Sequence, residues 1–264
     1  MTTPTPPSQT AYQQDGVTYL NKIIQLFGGY KRRGFTFLQV SPGQHILDVG
    51  CGTGEDAFAL AGLTGPTGRA CGVDPDPNML AAATTRAAAL NAPVTFTRGE
   101  AHALPFPDAS FDRTRADRVF QHLADPAAAL ADMIRVTRPG GWISLLDVDW
   151  GSVLIDAGDR TLTRRILDYH HRHHVNASAG IQLHGLLQRA GLAEVETYGE
   201  TVCVTEWPLA AMIWGLDAIT TRAVAEGVIT AGERDRWNHD LAERTRNGTF
   251  FAAITGFITR GRKP

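Results

Sequence analysis

The residues with the clearest chemical potential lie in one stretch, Ile46-Leu47-Asp48-Val49-Gly50-Cys51-Gly52-Thr53-Gly54. An apolar run enters glycines spaced G-x-G-x-G, and helix-forming residues follow from Glu55. Bare glycines let a ligand approach the backbone, and the first turn of the following helix leaves N–H groups unpaired. A tight strand–helix junction without a ligand needs the same residues, so the turn alone leaves both readings open. The spacing is not the G-x-G-x-x-G of a dinucleotide site, because Glu55 stands where its last glycine falls. Glu55 and Asp56 would set like charge against a pyrophosphate, which favours a ligand without phosphates there. Asp74 follows Cys71-Gly72-Val73, where an acid accepts the hydroxyls of a ribose; its alternative is to cap the helix opening at Pro77. Glu100 follows the next strand. Acids at three strand ends suit a neutral or cationic nucleoside.

A second group is the histidine run His170, His171, His173 and His174. On a helix His170 and His174 share a face. No carboxylate lies at a matching spacing, so no metal is expected. Two readings remain: a solvated polar face, or a histidine (His174 or His170) acting as general base or substrate contact. Asp149 and Trp150 end the fifth predicted strand on its ligand side: Asp149 either binds a substrate hydroxyl or caps the strand end, and Trp150, like Tyr19 in the N-terminal helix, is either a substrate contact or core. Trp207, Met212 and Trp214 are either lid material or core.

Positioning these groups requires a regular framework. Residues 1–10, rich in Pro and Thr, read as a disordered tail. Apolar residues at helical spacing predict a helix over 11–27 that stops at Gly28-Gly29, and a second over 30–38. Strands are predicted at 45–49, 70–73, 94–98, 111–116 and 142–147. Helices are predicted between them at 55–63, 77–90 and 126–137, and a turn at 138–141. This alternation implies βαβ crossovers and a parallel sheet covered on both faces. Beyond Trp150 come helices at 159–175 and 181–190, a strand at 195–205, two helices within 208–246 and a last strand at 249–260.

Composition agrees with one globular unit bearing an elaboration. The 264 residues are 43% hydrophobic and 20% charged, with net charge −2. That balance offers no bulk attraction to nucleic acid or anionic membrane, and neither is expected as a partner. Cys51, Cys71 and Cys203 have no metal-ligand spacing and form no disulfide framework. With no apolar run near ~18 residues and no secretory pattern at the N-terminus, a cytoplasmic protein is expected.

Taken together, the motifs from about Tyr30 to Trp150 resemble class I S-adenosylmethionine-dependent methyltransferases, in particular the group that includes the ubiquinone/menaquinone C-methyltransferases. The matching pieces are Leu47 to Gly54, Gly72-Val73-Asp74-Pro75 with Met79, and Gly99-Glu100-Ala101 before Leu104-Pro105-Phe106. Phe111-Asp112, Asp117 to Leu123 and Arg138-Pro139-Gly140-Gly141 complete them. The resemblance implies an α/β, Rossmann-like three-layer sandwich. Its seven-stranded, mostly parallel sheet would have an antiparallel last strand and carry a helical substrate cap. The implied organisation is a helical lid at 11–40, a cofactor-binding core at 41–150, and sheet completion with the cap at 151–264.

By the same resemblance Gly50, Cys51 and Gly52 lie along the methionine part of the cofactor, and Asp48 orients the turn. Asp74 and Pro75 stand at the ribose and Met79 near the adenine. Glu100 and Ala101 face the adenine edge, Asp117, Arg118 and His122 line the methionine end, and Arg33 pairs with the cofactor carboxylate. The implied activity is methyl transfer from S-adenosylmethionine to a small organic acceptor, a secondary metabolite or quinone-like molecule, leaving S-adenosylhomocysteine. The alternative is a non-methylating catalyst, such as a cyclase, with the cofactor bound. A monomer or homodimer is expected. Arg113 and Arg115 depart from the family pattern, in which the fourth strand is apolar. Either they pair with acids at the sheet rim, or the strand begins later.

Overall fold

The computed structural model describes residues 16–264; the side chains of residues 16–25 and of Phe27 lie outside the described residues. The predicted tail at 1–10 and the helix start at residue 11 also fall outside them. Seven strands form one sheet: β1 (His45–Val49), β2 (Arg69–Asp74), β3 (Val94–Arg98), β4 (Phe111–Asp117), β5 (Thr137–Ile155), β6 (Ala193–Val204) and β7 (Ala252–Arg262). Their order is β3-β2-β1-β4-β5-β7-β6, with six strands parallel and the last antiparallel. The α/β, Rossmann-like architecture expected from the sequence is the one observed.

The helices are α1 (Gly16–Leu38), α2 (Glu55–Thr64), α3 (Pro77–Leu90), α4 (Pro126–Val136), α5 (Arg160–Arg172), α6 (Ala179–Arg189), α7 (Trp207–Trp214), α8 (Leu216–Ala225) and α9 (Ala231–Arg246). The chain divides into two compact units. The first comprises residues up to Tyr30, Asp149–Ala177 and Glu200–Thr255; the second comprises Lys31–Val148, Ser178–Gly199 and Gly256–Pro264.

In the second unit, strand alternation sends successive side chains to opposite faces. Leu47 and Val49 join Phe120, Leu130, Met133, Ile143 and Leu183 in one apolar layer. Ile46 faces the other way, into a layer with Leu38, Ala57, Leu60, Val94 and Trp142. Both layers are closed to water, which is why these parallel strands read as nearly continuous apolar runs. In the first unit α5, α8 and α9 pack together. There Trp207 meets Trp237 edge-on at 5.0 Å, and the Trp237 indole donates to Thr163 Oγ1 at 2.9 Å.

Four expectations are corrected. The fifth strand does not end at Trp150: β5 runs on to Ile155, so Asp149 and Trp150 lie within it. Gly28-Gly29 does not break the first helix; α1 is continuous through both. A glycine costs a helix about 1 kcal/mol, less than the packing of Tyr30 and Leu38, both buried, returns. Residues 138–141 are not a turn outside the sheet, because Gly140 N–H donates to Lys263 O at 2.8 Å and Lys263 N–H to Gly141 O at 2.9 Å. Pairing with the end of β7 draws that segment into β5. The region 207–246 holds three helices rather than two, because Gly215, at φ +65°, ends α7 and starts α8.

Candidate functional site

The glycine turn after β1 is held by β2. Gly50 and Cys51 N–H both donate to Val73 O, at 2.7 and 3.0 Å, and Gly52 N–H donates to Asp74 Oδ2 at 2.9 Å. Gly50, Gly52 and Gly54 have φ of +71°, +51° and +83°, the left-handed region that glycine enters without strain. A Cβ on Gly50 would lie 2.3 Å from Val119 Cγ2, so space as well as dihedral demands glycine.

Asp74 is not the cap of α3. That role belongs to Asp76, whose carboxylate accepts Asn78 N–H at 2.8 Å. Asp74 instead joins two turns, its Oδ1 accepting Asp76 N–H at 2.9 Å and its Oδ2 accepting Gly52 N–H. Each oxygen keeps a further lone pair for a ligand donor.

These elements line a cleft of about 310 Å³ at the carboxyl ends of the strands. From β1 and β2 come Val49, Gly50, Val73, Asp74 and Pro75; from beyond β3, Gly99, Glu100 and Ala101; from beyond β4, Arg118, Val119, His122 and Leu123. Seven of the sequence-selected residues therefore meet there: Gly50, Asp74, Pro75, Glu100, Ala101, Arg118 and His122. Cys51 and Gly52 stand in the turn beside it. Met79 is half-buried on α3 and not in the lining, and Arg33 lies over the Tyr198 ring at 4.2 Å. The apolar walls Val49, Val73, Val119 and Leu123 were not singled out beforehand. The strand-end rule that found Asp74 would have found the first two.

Glu55 and Asp56 do not face the cleft, contrary to the expectation that they repel phosphate. Glu55 pairs with Arg86, and Asp56 with Lys31 at 2.9 Å and Arg115 at 2.9 Å. Negative charge reaches the cleft from Asp74 and Glu100 instead.

Behind the glycine turn lies a buried charge cluster. β4 begins at Phe111, so Arg115 is a true strand residue; it is fully buried and in register with Asp48 of β1. Its guanidinium reaches Asp48 at 3.1 Å, Asp56 at 2.9 Å and Asp117 at 3.3 Å. The expected acids are present, in the interior rather than at the rim. Arg113 bonds to backbone, donating to Leu38 O at 3.2 Å and Asp112 O at 2.8 Å. Burial pushes the Asp48 carboxyl up to about 7 against the pull of Arg115. Burial also disfavours the Asp56 carboxylate, but Arg115 and Lys31 outweigh it and hold its pKa far below the ordinary range. Asp147, fully buried at β5, accepts Gln121 N–H at 3.1 Å and so anchors the short 3-10 turn Phe120–His122; burial pushes its carboxyl up to about 8.

The histidine cluster belongs to the first unit. Trp150 stacks on His174 with ring centroids 4.1 Å apart and planes 12° apart, and meets His170 edge-on at 4.9 Å. His170 is buried, its Nε2 lying 2.9 Å from Trp214 O and 3.4 Å from His174 Nε2. A carbonyl only accepts, so His170 carries its proton on Nε2. Burial lowers its pKa to about 4. Asp149 is buried and accepts Gly151 N–H at 3.3 Å. The Tyr19 side chain lies outside the described residues. No group of metal-ligating side chains is found among the described residues, and no described helix is long and apolar enough to cross a membrane.

A methyltransferase domain family matches residues 46–141, from β1 to the first glycines of β5. An uncharacterised 37.1 kDa protein of transposon TN4556 from Streptomyces fradiae is 38% identical over 250 residues, covering 92% of this chain and 70% of that protein. The chain belongs to the class I S-adenosylmethionine-dependent methyltransferases. Methyltransferase GfsG of Streptomyces halstedii is 38% identical over 111 residues, and demethylmenaquinone methyltransferase of Staphylococcus aureus 36% over 130. These two matches cover 42% and 48% of this methyltransferase but only 40% and 54% of the relatives' own length. Among solved structures, YcgJ of Bacillus subtilis superposes with a TM-score of 0.59 at 19% identity, over 90% of this chain and 98% of that one. Phosphoethanolamine N-methyltransferase 2 of Haemonchus contortus, in complex with S-adenosylmethionine, gives 0.59 at 17%, over 99% and 60%. At such identities the likeness is one of fold.

Proposed function

We propose that this methyltransferase binds S-adenosylmethionine in the cleft of the second unit and methylates a small organic acceptor, releasing S-adenosylhomocysteine. The observation that carries the reading is Asp74, a carboxylate at the end of β2 that ties down the glycine turn and still lines the cleft. The residues fit the cofactor in two respects. The bare backbone at Gly50 leaves a cradle that a Cβ would fill, and the acids lining the cleft, Asp74 and Glu100, suit a cationic nucleoside better than a phosphorylated one. In this reading Asp74 and Pro75 hold the ribose, with Glu100 and Ala101 about the adenine, and Met79 stands on α3 outside the lining. Gly50, Cys51, Gly52, Arg118 and His122 serve the methionine end, and Asp48 and Asp117, held by Arg115, brace its walls rather than touch it.

When bound, the cofactor supplies a methyl group made electrophilic by a sulfonium; the protein aligns the acceptor, excludes water and handles protons. Trp150 and Asp149, with Tyr19, are assigned to the acceptor. His174 is assigned as general base because it is half-buried, whereas His170 is buried with its Nε2 on Trp214 O; the stack on Trp150 fixes the His174 imidazole plane. His170 then supports it. A quinone-like or secondary-metabolite acceptor draws support from demethylmenaquinone methyltransferase among the relatives.

Calorimetric titration with S-adenosylmethionine and S-adenosylhomocysteine tests the cofactor reading. Wild type is expected to saturate with both, and Asp74→Ala to bind about 10- to 100-fold more weakly, since each hydrogen bond to a charged group contributes about 1.5–3 kcal/mol. Wild type that saturates with neither would overturn it. Incubation with an acceptor panel, read by mass for products one methylene heavier, tests methyl transfer.

A further inference from the structure

Arg115 is costly where it stands. Its guanidinium is wholly buried in the central strand of a parallel sheet, and its Nε has no hydrogen-bond partner. Replacing such an ion cluster with apolar side chains is often neutral or stabilising, so fold stability is a poor account of it. What the cluster does achieve is geometric. Asp48 directly precedes the Val49-Gly50 wall of the cleft, Asp56 lies in the first turn of the helix on the far side of the glycine turn, and Asp117 directly precedes the Arg118-Val119 wall. One guanidinium therefore grips the turn after β1 at both its ends and the turn after β4 as well. Lys31 reinforces it from α1, reaching Asp56 at 2.9 Å and Asp117 at 3.8 Å. Strand alternation makes this possible, because Asp48 and Arg115 are register partners on the face that α2 covers.

We propose that Arg115 is a positioning residue for the cofactor site: through Asp48, Asp56 and Asp117 it cross-ties the two neighbouring turns that line the cleft. This rests on the reading of the cleft as the cofactor site. A cross-tie of this kind keeps the unliganded walls close to their binding geometry, so less ordering cost falls on the ligand.

The test compares wild type with Arg115→Lys and Arg115→Met by amide hydrogen exchange of the free protein and by calorimetric titration with S-adenosylhomocysteine. Arg115→Lys keeps the charge, so it tests the three-way grip without stranding the acids; Asp56→Asn, which frees one arm, serves if Arg115→Met does not fold. The variants are expected to lose protection together at 49–55 and 117–123, with β3 and α6 unchanged. Affinity is expected to fall about tenfold or more in Arg115→Met and by less in Arg115→Lys. A merely structural arginine would lower protection everywhere and leave the affinity of the folded variant alone. Arg115→Lys and Asp56→Asn with wild-type exchange at both turns and affinity within twofold would overturn the proposal. Wild type that binds no S-adenosylhomocysteine would overturn the cofactor reading instead, and the exchange data would still decide whether the turns are tied.

Discussion

Gly50→Ala separates two costs that the structure distinguishes at that position. The residue sits at φ +71°, where a Cβ costs about 1–2 kcal/mol from its own backbone. The added carbon would also lie 2.3 Å from Val119 Cγ2, with Cβ and Cγ1 of Val119 at 3.5 Å, and valine has little χ1 freedom with which to withdraw. Overpacking of this kind adds about 1–3 kcal/mol, for a total of about 2–5 kcal/mol. At about 2–4 °C per kcal/mol, Tm should fall by roughly 4–20 °C. Gly191→Ala is the control: its φ is +77° and nothing lies within 4 Å of the added carbon, so only the backbone cost applies. Denaturant unfolding of both variants, and of Gly50→Ala combined with Val119→Ala, measures the contact as a coupling energy. In addition, Gly50→Ala should weaken S-adenosylhomocysteine binding at least tenfold, while Gly191→Ala leaves it unchanged. Equal losses of stability in the two single variants, with no coupling to Val119, would refute the close approach of the two walls.

Three further outcomes follow from buried polar groups. His170 is held neutral, with its pKa lowered to about 4 from an unfolded value near 6.5. Stability should therefore fall as pH drops through that window, and the urea midpoint of His170→Gln should fall less steeply there. Asp147 has the opposite sign of dependence: its pKa is raised to about 8, so the folded protein binds more protons than the unfolded chain between about pH 4 and 8. Wild type should lose stability as pH rises through that range, and Asp147→Asn should gain on it from pH 5 to pH 8. Thr163→Val leaves the buried Trp237 indole N–H without its acceptor and should cost about 1–3 kcal/mol by chemical denaturation, with no change in cofactor affinity.

The local vocabulary of the site was legible because strand ends and glycine turns are short-range features. Asp48-Val49-Gly50-Cys51-Gly52, Asp74 and Glu100 each announce a position at the carboxyl end of a strand, and the structure places Gly50, Asp74 and Glu100 in one cleft. Alternation of apolar runs with helical segments also carried the fold class, since parallel strands covered on both faces leave a distinctive pattern. The partnerships between distant residues were not legible. Nothing near Arg115 in sequence says that Asp48 and Asp56 will meet it, because that contact arises only when β1 and β4 pair in one register and α2 folds over them. For the same reason Glu55 and Asp56 looked like a barrier to phosphate, until tertiary structure matched them with Arg86, Lys31 and Arg115. The continuity of α1 through Gly28-Gly29 was likewise decided by packing, which outweighed local propensity. Sequence determined which backbone turns form and which side chains stand at strand ends. Tertiary structure decided which charges neutralise one another and which remain to meet a ligand, because electrostatic pairing depends on distance in space rather than along the chain.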